Sequence, residues 1–223
     1  GSMMPYDDFR KISYLFRIRA DVCAARGDWD GALNERLDCI RFGSDLTRGA
    51  TVNGALMVLW CQAMGRRGIE TAIDSASAGA VRLAAKRLAS IDARAAPFAS
   101  TVQEEEWWGS ASFRAAFKKS NWRRDFMHSY GGADIDNFQA SITAMVYSDD
   151  ATWSAYTRYM DRARSTTLLP YSRAKKSFPP EPSNPFVQIM LPAIPQSFIK
   201  AQSNLTVNRL VELKAALRMY RLE

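Results

Sequence analysis

Apolar side chains recur at spacings of three and four along almost the whole chain, and this period constrains the fold more than any other feature. Phe9, Ile12, Phe16, Ala20 and Cys23 form one such stripe, and Leu33, Leu37 and Ile40 form a second. Val52, Leu56, Leu59 and Ala63 make a third, and Val81, Ala84, Leu88 and Ile91 a fourth. Ile135, Phe138, Ile142 and Met145 follow, then Trp153, Tyr156, Met160 and Ala163. A last stripe of Leu210, Leu213, Leu217 and Tyr220 is expected on the inner face of a long closing helix. No segment alternates apolar and polar residues between turn signals, so no strand is expected. The expected fold is all-α: a multi-helix bundle or an irregular, solenoid-like array of helical hairpins.

The breaks between stripes carry their own chemistry. Gly27 closes the first helix, and Asp28 caps the second by offering its carboxylate to free backbone N–H groups. A Gly65–Gly68 turn ends the third helix, Pro97 opens the next, and Gly131-Gly132 separates two more. Seven of the nine prolines fall between Pro170 and Pro195, where the chain must be extended or broken because proline lacks the donor a helix needs. Phe178, Phe186, Val187, Ile189 and Leu191 interleave with these prolines, which favours a strap packed on the helices over a free linker. The opening Gly1-Ser2 reads as a tag-cleavage scar, and residues 1–3 are set aside as tag remnant. Residues 4–223 are expected as a single helical domain: a hairpin-like half over 7–95, a second half over 97–167, the strap over 168–195 and the closing helix over 196–223.

Apolar residues make up 47% and charged residues 24% of the 223, an ordinary globular balance, which excludes global disorder. The longest apolar run, Ala55 to Cys61, falls well short of the roughly 20 residues that span a bilayer. The amino end is charged at Asp7, Asp8, Arg10 and Lys11, where a signal peptide would be apolar. Cys23, Cys39 and Cys61 lie inside helical patterns with no framework spacing, so buried free thiols are expected, with no disulfide scaffold and no zinc site, the alternative being one bridge where two helices bring a pair together. Of the net charge of +7, most sits between residues 114 and 180, with 11 basic against 6 acidic side chains. That excess is either a solvated helix face or a patch for nucleic acid, an anionic membrane surface or an acidic partner.

Five residues stand out as candidates for binding. Trp107 and Trp108 are adjacent, and neighbours on a helix point about 100° apart, so either one of them is expected at the surface or both are covered by neighbouring helices. Lys119, Trp122 and Arg123 mix cations with an aromatic ring, a composition suited to phosphate contact and stacking. Glu106 falls four residues after Val102 on the same stripe as Phe98, Phe113 and Phe117, where burial would raise its pKa. It is either a structural ion pair or a general acid, while Glu104 and Glu105 beside it are expected in solvent. His128 is the only histidine, three residues after Asp125, so a multi-histidine metal site is excluded and no catalytic residue is assigned. No phosphate-binding, dinucleotide-binding, zinc-protease or calcium-loop motif is present, so no cofactor and no metal are expected. Asn204-Leu205-Thr206 matches a glycosylation sequon but falls within a helical pattern.

Gly27-Asp28-Trp29-Asp30-Gly31-Ala32-Leu33, between two amphipathic helices, resembles the turn of a tetratricopeptide-type hairpin, over about 40 residues. Such hairpins stack and bind peptides or proteins. More broadly, that hairpin, the Glu104–Glu106 helix, Leu168-Leu169-Pro170-Tyr171 and the closing Ala215 to Arg221 are similar to a group of uncharacterised bacterial membrane-anchored proteins. The resemblance implies a membrane helix ahead of a helical extracytoplasmic domain, and no activity. On these grounds the expected function is a non-catalytic protein-interaction or scaffold domain whose partner is a protein or peptide. The alternatives are a basic-patch binder of an anionic polymer or membrane surface and an enzyme with a site near Glu106. Nucleic acid is not expected, since no motif frames the basic residues, and a membrane is expected only through a segment outside this chain. The expected location is extracytoplasmic, with the cytoplasm as the alternative.

Overall fold

The computed structural model describes residues 6–46, 48–130 and 146–222, the side chains of 127–130 excepted. Eleven helices and no strand form among these residues, so the fold is all-α. Residues 4–223, expected as one domain, divide by contact into two compact units, Gly1–Pro97 with Ser197–Glu223, and Phe98–Gln196. The expected stripe from Ile135 to Met145, the Gly131-Gly132 break, the residue 1–3 remnant and the His128 side chain lie outside the described residues.

The first unit contains α1 (Tyr6–Ala25), α2 (Trp29–Asp45), α3 (Val52–Arg66), α4 (Ile69–Ser75), α5 (Ala78–Arg94) and most of α11 (Ile194–Leu222). Gly27, at φ 77°, turns the chain out of α1 where a side chain would be strained. Asp28 then caps α2 by accepting from the Gly31 N–H at 2.8 Å. The Asp30 carboxylate accepts from the Ser77 hydroxyl at 2.6 Å and the Ser77 N–H at 2.7 Å, joining the first turns of α2 and α5. These hydrogen bonds hold the Asp30 carboxyl below the ordinary carboxylate range. The core gathers Leu33, Leu37 and Ile40 of α2, Ile69 and Ile73 of α4, Val81, Ala84, Leu88 and Ile91 of α5, and Val211 and Ala215 of α11. Each large side chain fully buried there contributes about 1.5–3 kcal/mol. Arg36, buried on α2, reaches Asp21 of α1 at 2.9 Å and also donates to the Arg67 carbonyl after α3.

Three stripes are corrected. On α1 the stripe holds at Phe9, Phe16, Ala20 and Cys23, with both phenylalanine rings against Phe42 of α2, but Ser13 takes the buried place expected for Ile12, which is exposed. On α3, Val52, Ala55, Val58 and Cys61 are buried while Ala63 is exposed, because this helix is covered on more than one side. On α11 the expected inner residues face outward: Leu210, Leu213, Leu217 and Tyr220 are 58%, 55%, 53% and 82% exposed. A polar network sets that rotation. Arg66 donates to Asn204 and Asn208 at 2.6 Å each, and the Gln62 carbonyl oxygen accepts from both asparagine amides. Buried polar groups must be paired, so Asn208 turns inward and the leucines turn out.

The second unit holds α6 (Phe98–Phe117), α7 (Trp122–Tyr130), α8 (Asp149–Thr167), α9 (Tyr171–Ser177) and α10 (Pro185–Met190). Phe113, Phe117, Trp122, Phe126, Tyr156 and Phe186 form a ring cluster with centroids 4.9–6.2 Å apart, in edge-on and tilted geometries except for the stacked Phe113–Phe126 pair. The proline-rich segment is broken rather than wholly extended, and carries α9 and α10. Asn184 donates to the Thr152 hydroxyl at 3.0 Å and caps α10 by accepting from the Phe186 and Val187 N–H groups. Pro185 takes the first turn of α10, where no donor is required. Phe186 and Val187 are fully buried, whereas Phe178, Ile189 and Leu191 are half-buried.

Candidate functional site

The crossing of α6 and α8 decides what each candidate on α6 can do. Gly109 lies at the crossing, and a β-carbon there would overlap the phenol of Tyr156. The missing side chain lets α8 approach, and Tyr156 donates its hydroxyl to the Glu105 carbonyl at 3.1 Å and the Glu106 carbonyl at 3.4 Å. Burial first, then the charges of Glu105 and Glu106, push the Tyr156 phenol up from its ordinary value. The packed face of α6 therefore runs through Val102, Glu105, Gly109 and Phe113.

This register corrects the expectation for Glu105, which is 6% exposed and not in solvent. Both 105 and 106 lie one turn beyond Val102, and the approach of Tyr156 at Gly109 selects 105. The signal was present in the small-residue run Gly109-Ser110-Ala111-Ser112, which marks a close helix crossing. Tyr156 itself gave no functional signal, since it read as one more core residue. Glu106 is half-buried, with Oε2 out of water and without a hydrogen-bond partner among the described residues. Burial, reinforced by Asp161 and opposed by Arg164, pushes its carboxyl up. Arg164 pairs instead with Asp161 at 3.3 Å. A carboxyl raised in this way is able to carry a proton, and a general acid also needs substrate access. The two grooves along α8 described below are lined by other residues.

Trp107 and Trp108 are both at the surface, 59% and 55% exposed, where at most one was expected there. With 105 and 109 turned inward, positions 107 and 108 straddle the opposite face of α6. Ala111, Arg114 and Ala115 extend this outer face.

Lys119, Trp122 and Arg123 do not form one surface. Trp122 is 3% exposed within the ring cluster, and its indole N–H donates to Asp149 at 3.1 Å. It is removed from the candidate binding residues, because its ring faces are covered. Arg123 is half-buried, lies 5.1 Å over the Trp122 ring and pairs with Asp149, so its charge is locally compensated. Lys119, Lys118 and Arg124 remain exposed. Arg158 and Arg162 of α8 face the proline-rich segment. Arg162, Pro179 and Pro180 are shared by two grooves of about 320 and 410 Å³, the first lined also by Arg158, Tyr147 and Asn184.

Cys39 and Cys61 are buried and all three cysteines are free, and burial pushes the Cys39 thiol up to about 12, far from a nucleophilic thiolate. Among the described residues no cluster of metal-ligating side chains occurs, and no helix is long and apolar enough to cross a membrane. Comparison with protein-family models, curated proteins and solved structures yields no match to this chain.

Proposed function

We propose that the chain is a non-catalytic protein-interaction domain that meets its partner through the outer face of α6. The observation that carries this reading is the adjacent pair Trp107 and Trp108, each more than half exposed. Water-facing tryptophan is costly, and tryptophan is the residue most enriched where protein partners bind. The resemblance of Gly27–Leu33 to a peptide-binding helical hairpin agrees with it. The test is affinity isolation from the source organism with the wild-type chain and with Trp107→Ser/Trp108→Ser. A partner recovered near stoichiometric yield and lost with the double variant is expected. Equal recovery by both chains, or no stoichiometric partner, counts against the reading.

A second reading, binding of an anionic polymer or surface, is favoured by Arg158 and Arg162 lining the groove of about 320 Å³ beside the proline-rich segment. Binding of a polyanion would then weaken steeply with added salt and be lost in Arg158→Glu/Arg162→Glu. A salt-independent interaction would end that reading. The extracytoplasmic location is proposed on the resemblance alone, and a membrane span encoded ahead of this chain is the observation it requires.

A further inference from the structure

The outward stripe of α11 is not an isolated set of exposed leucines. Leu210, Leu213, Leu217 and Tyr220 follow the 3-4-3 spacing of a helix–helix seam and extend over about three turns. Leu210, Leu213 and Leu217 form one wall of a groove of about 550 Å³ whose other lining residues are Asp74 of α4 and Lys214, Arg218 and Arg221 of α11. The charges along it are unequal. Lys214 is bound by Asp74 at 2.8 Å and Glu70 at 3.8 Å, and Arg209 lies 3.9 Å from Asp92. Arg218 and Arg221 have no ion pair among the described residues, and Arg218 Nε is buried there without an acceptor. The groove thus has one leucine wall, a compensated Lys214–Asp74 pair beside it, and uncompensated cations at the end nearest the carboxyl terminus.

We propose that this groove docks an amphipathic helix of another protein, with apolar side chains between Leu210, Leu213 and Leu217 and carboxylates at the end that meets Arg218 and Arg221. Charge complementarity selects this occupant. A second copy of α11 laid parallel sets Arg218 and Arg221 against their own counterparts, and laid antiparallel offers them Glu212 alone, which favours a partner helix richer in carboxylates. An anionic membrane would meet a concave surface that includes Asp74. The proposal rests on the interaction-domain reading but uses a different surface from Trp107 and Trp108, so either can fail without the other.

The experiment measures the affinity of the full chain for two synthetic stapled helices of about five turns, each with leucines at the 3-4-3 spacing. One carries glutamates at one end and the other carries lysines there. The glutamate peptide is expected to bind at least about tenfold more tightly, and Arg218→Glu/Arg221→Glu reverses the order. Leu213→Asp, and independently Leu217→Ser, abolish binding while circular dichroism and thermal unfolding stay unchanged, because both side chains already face water. Four results overturn the proposal. They are equal affinity for the two peptides, an order insensitive to the arginine reversal, a concentration-dependent dimer of the chain that Leu213→Asp dissolves, and displacement of the peptide by vesicles of anionic phospholipid.

Discussion

Gly109 and Tyr156 act as one contact, and their energetics are separable. Gly109→Ala drives a methyl group into the phenol and is expected to cost about 1–3 kcal/mol, the usual penalty of overpacking. Tyr156→Phe removes one hydroxyl shared between two carbonyls and is expected to cost about 1 kcal/mol. Because the phenol oxygen is the atom nearest the added methyl group, the double variant is expected to be less destabilised than the two costs added. Urea unfolding of the four chains measures this, and strict additivity would contradict the crossing described here. Glu106 gives a pH prediction. Its folded-state pKa is raised, so the folded chain holds the proton more tightly than the unfolded chain, and stability falls as pH rises from the unfolded value toward the folded one. Glu106→Gln is therefore expected to raise the unfolding temperature at pH 7, with a gain that shrinks toward pH 4. A gain independent of pH would show that the carboxyl is not under this strain.

At the scale of elements, periodicity was a reliable guide where one face of a helix packs and a poor one where polar groups or small residues set the rotation. The stripes of α2 and α5 face the core as their spacing requires, and the buried Arg36 of α2 finds its partners away from that stripe, on Asp21 and the Arg67 carbonyl. On α11 the leucine pattern pointed to the wrong face, since a guanidinium and three amides must be satisfied together and no apolar period encodes that. Asn208→Ala breaks the network and leaves Arg66 and Gln62 short of partners. It is expected to destabilise the first unit by about 1–3 kcal/mol and to raise hydrogen exchange along α11 more than along α2. Uniform exchange across both helices would mean that Asn208 does not fix α11. The short helices α4, α7, α9 and α10 escaped the sequence because six to nine residues hold too few turns to establish a period. The proline-rich segment was legible as a packed strap because its apolar residues are too numerous for a solvated linker, but the Asn184 cap that nucleates α10 was not.

For the whole molecule, the all-α fold and the break at Pro97 were legible in the sequence, whereas the grouping of the closing helix with the first unit depends on long-range contacts that spacing does not reveal. Of the candidate binding residues, Trp107, Trp108 and Lys119 are at the surface, and Trp122 and Arg123 belong to the interior and its rim. Adjacent tryptophans on a helix point about 100° apart, which suggests a surface position for one of them but does not require it. A cation next to a tryptophan does not reveal which of the two is buried. The central claim is that the outer face of α6 is a contact surface, and site-specific photocrosslinking in cells of the source organism tests it most directly. A photoreactive residue placed at Trp107, and separately at Trp108, is expected to yield the same single adduct, with none at exposed Arg48 in the other unit. Identical labelling at all three positions, or no discrete adduct at either tryptophan, would contradict it.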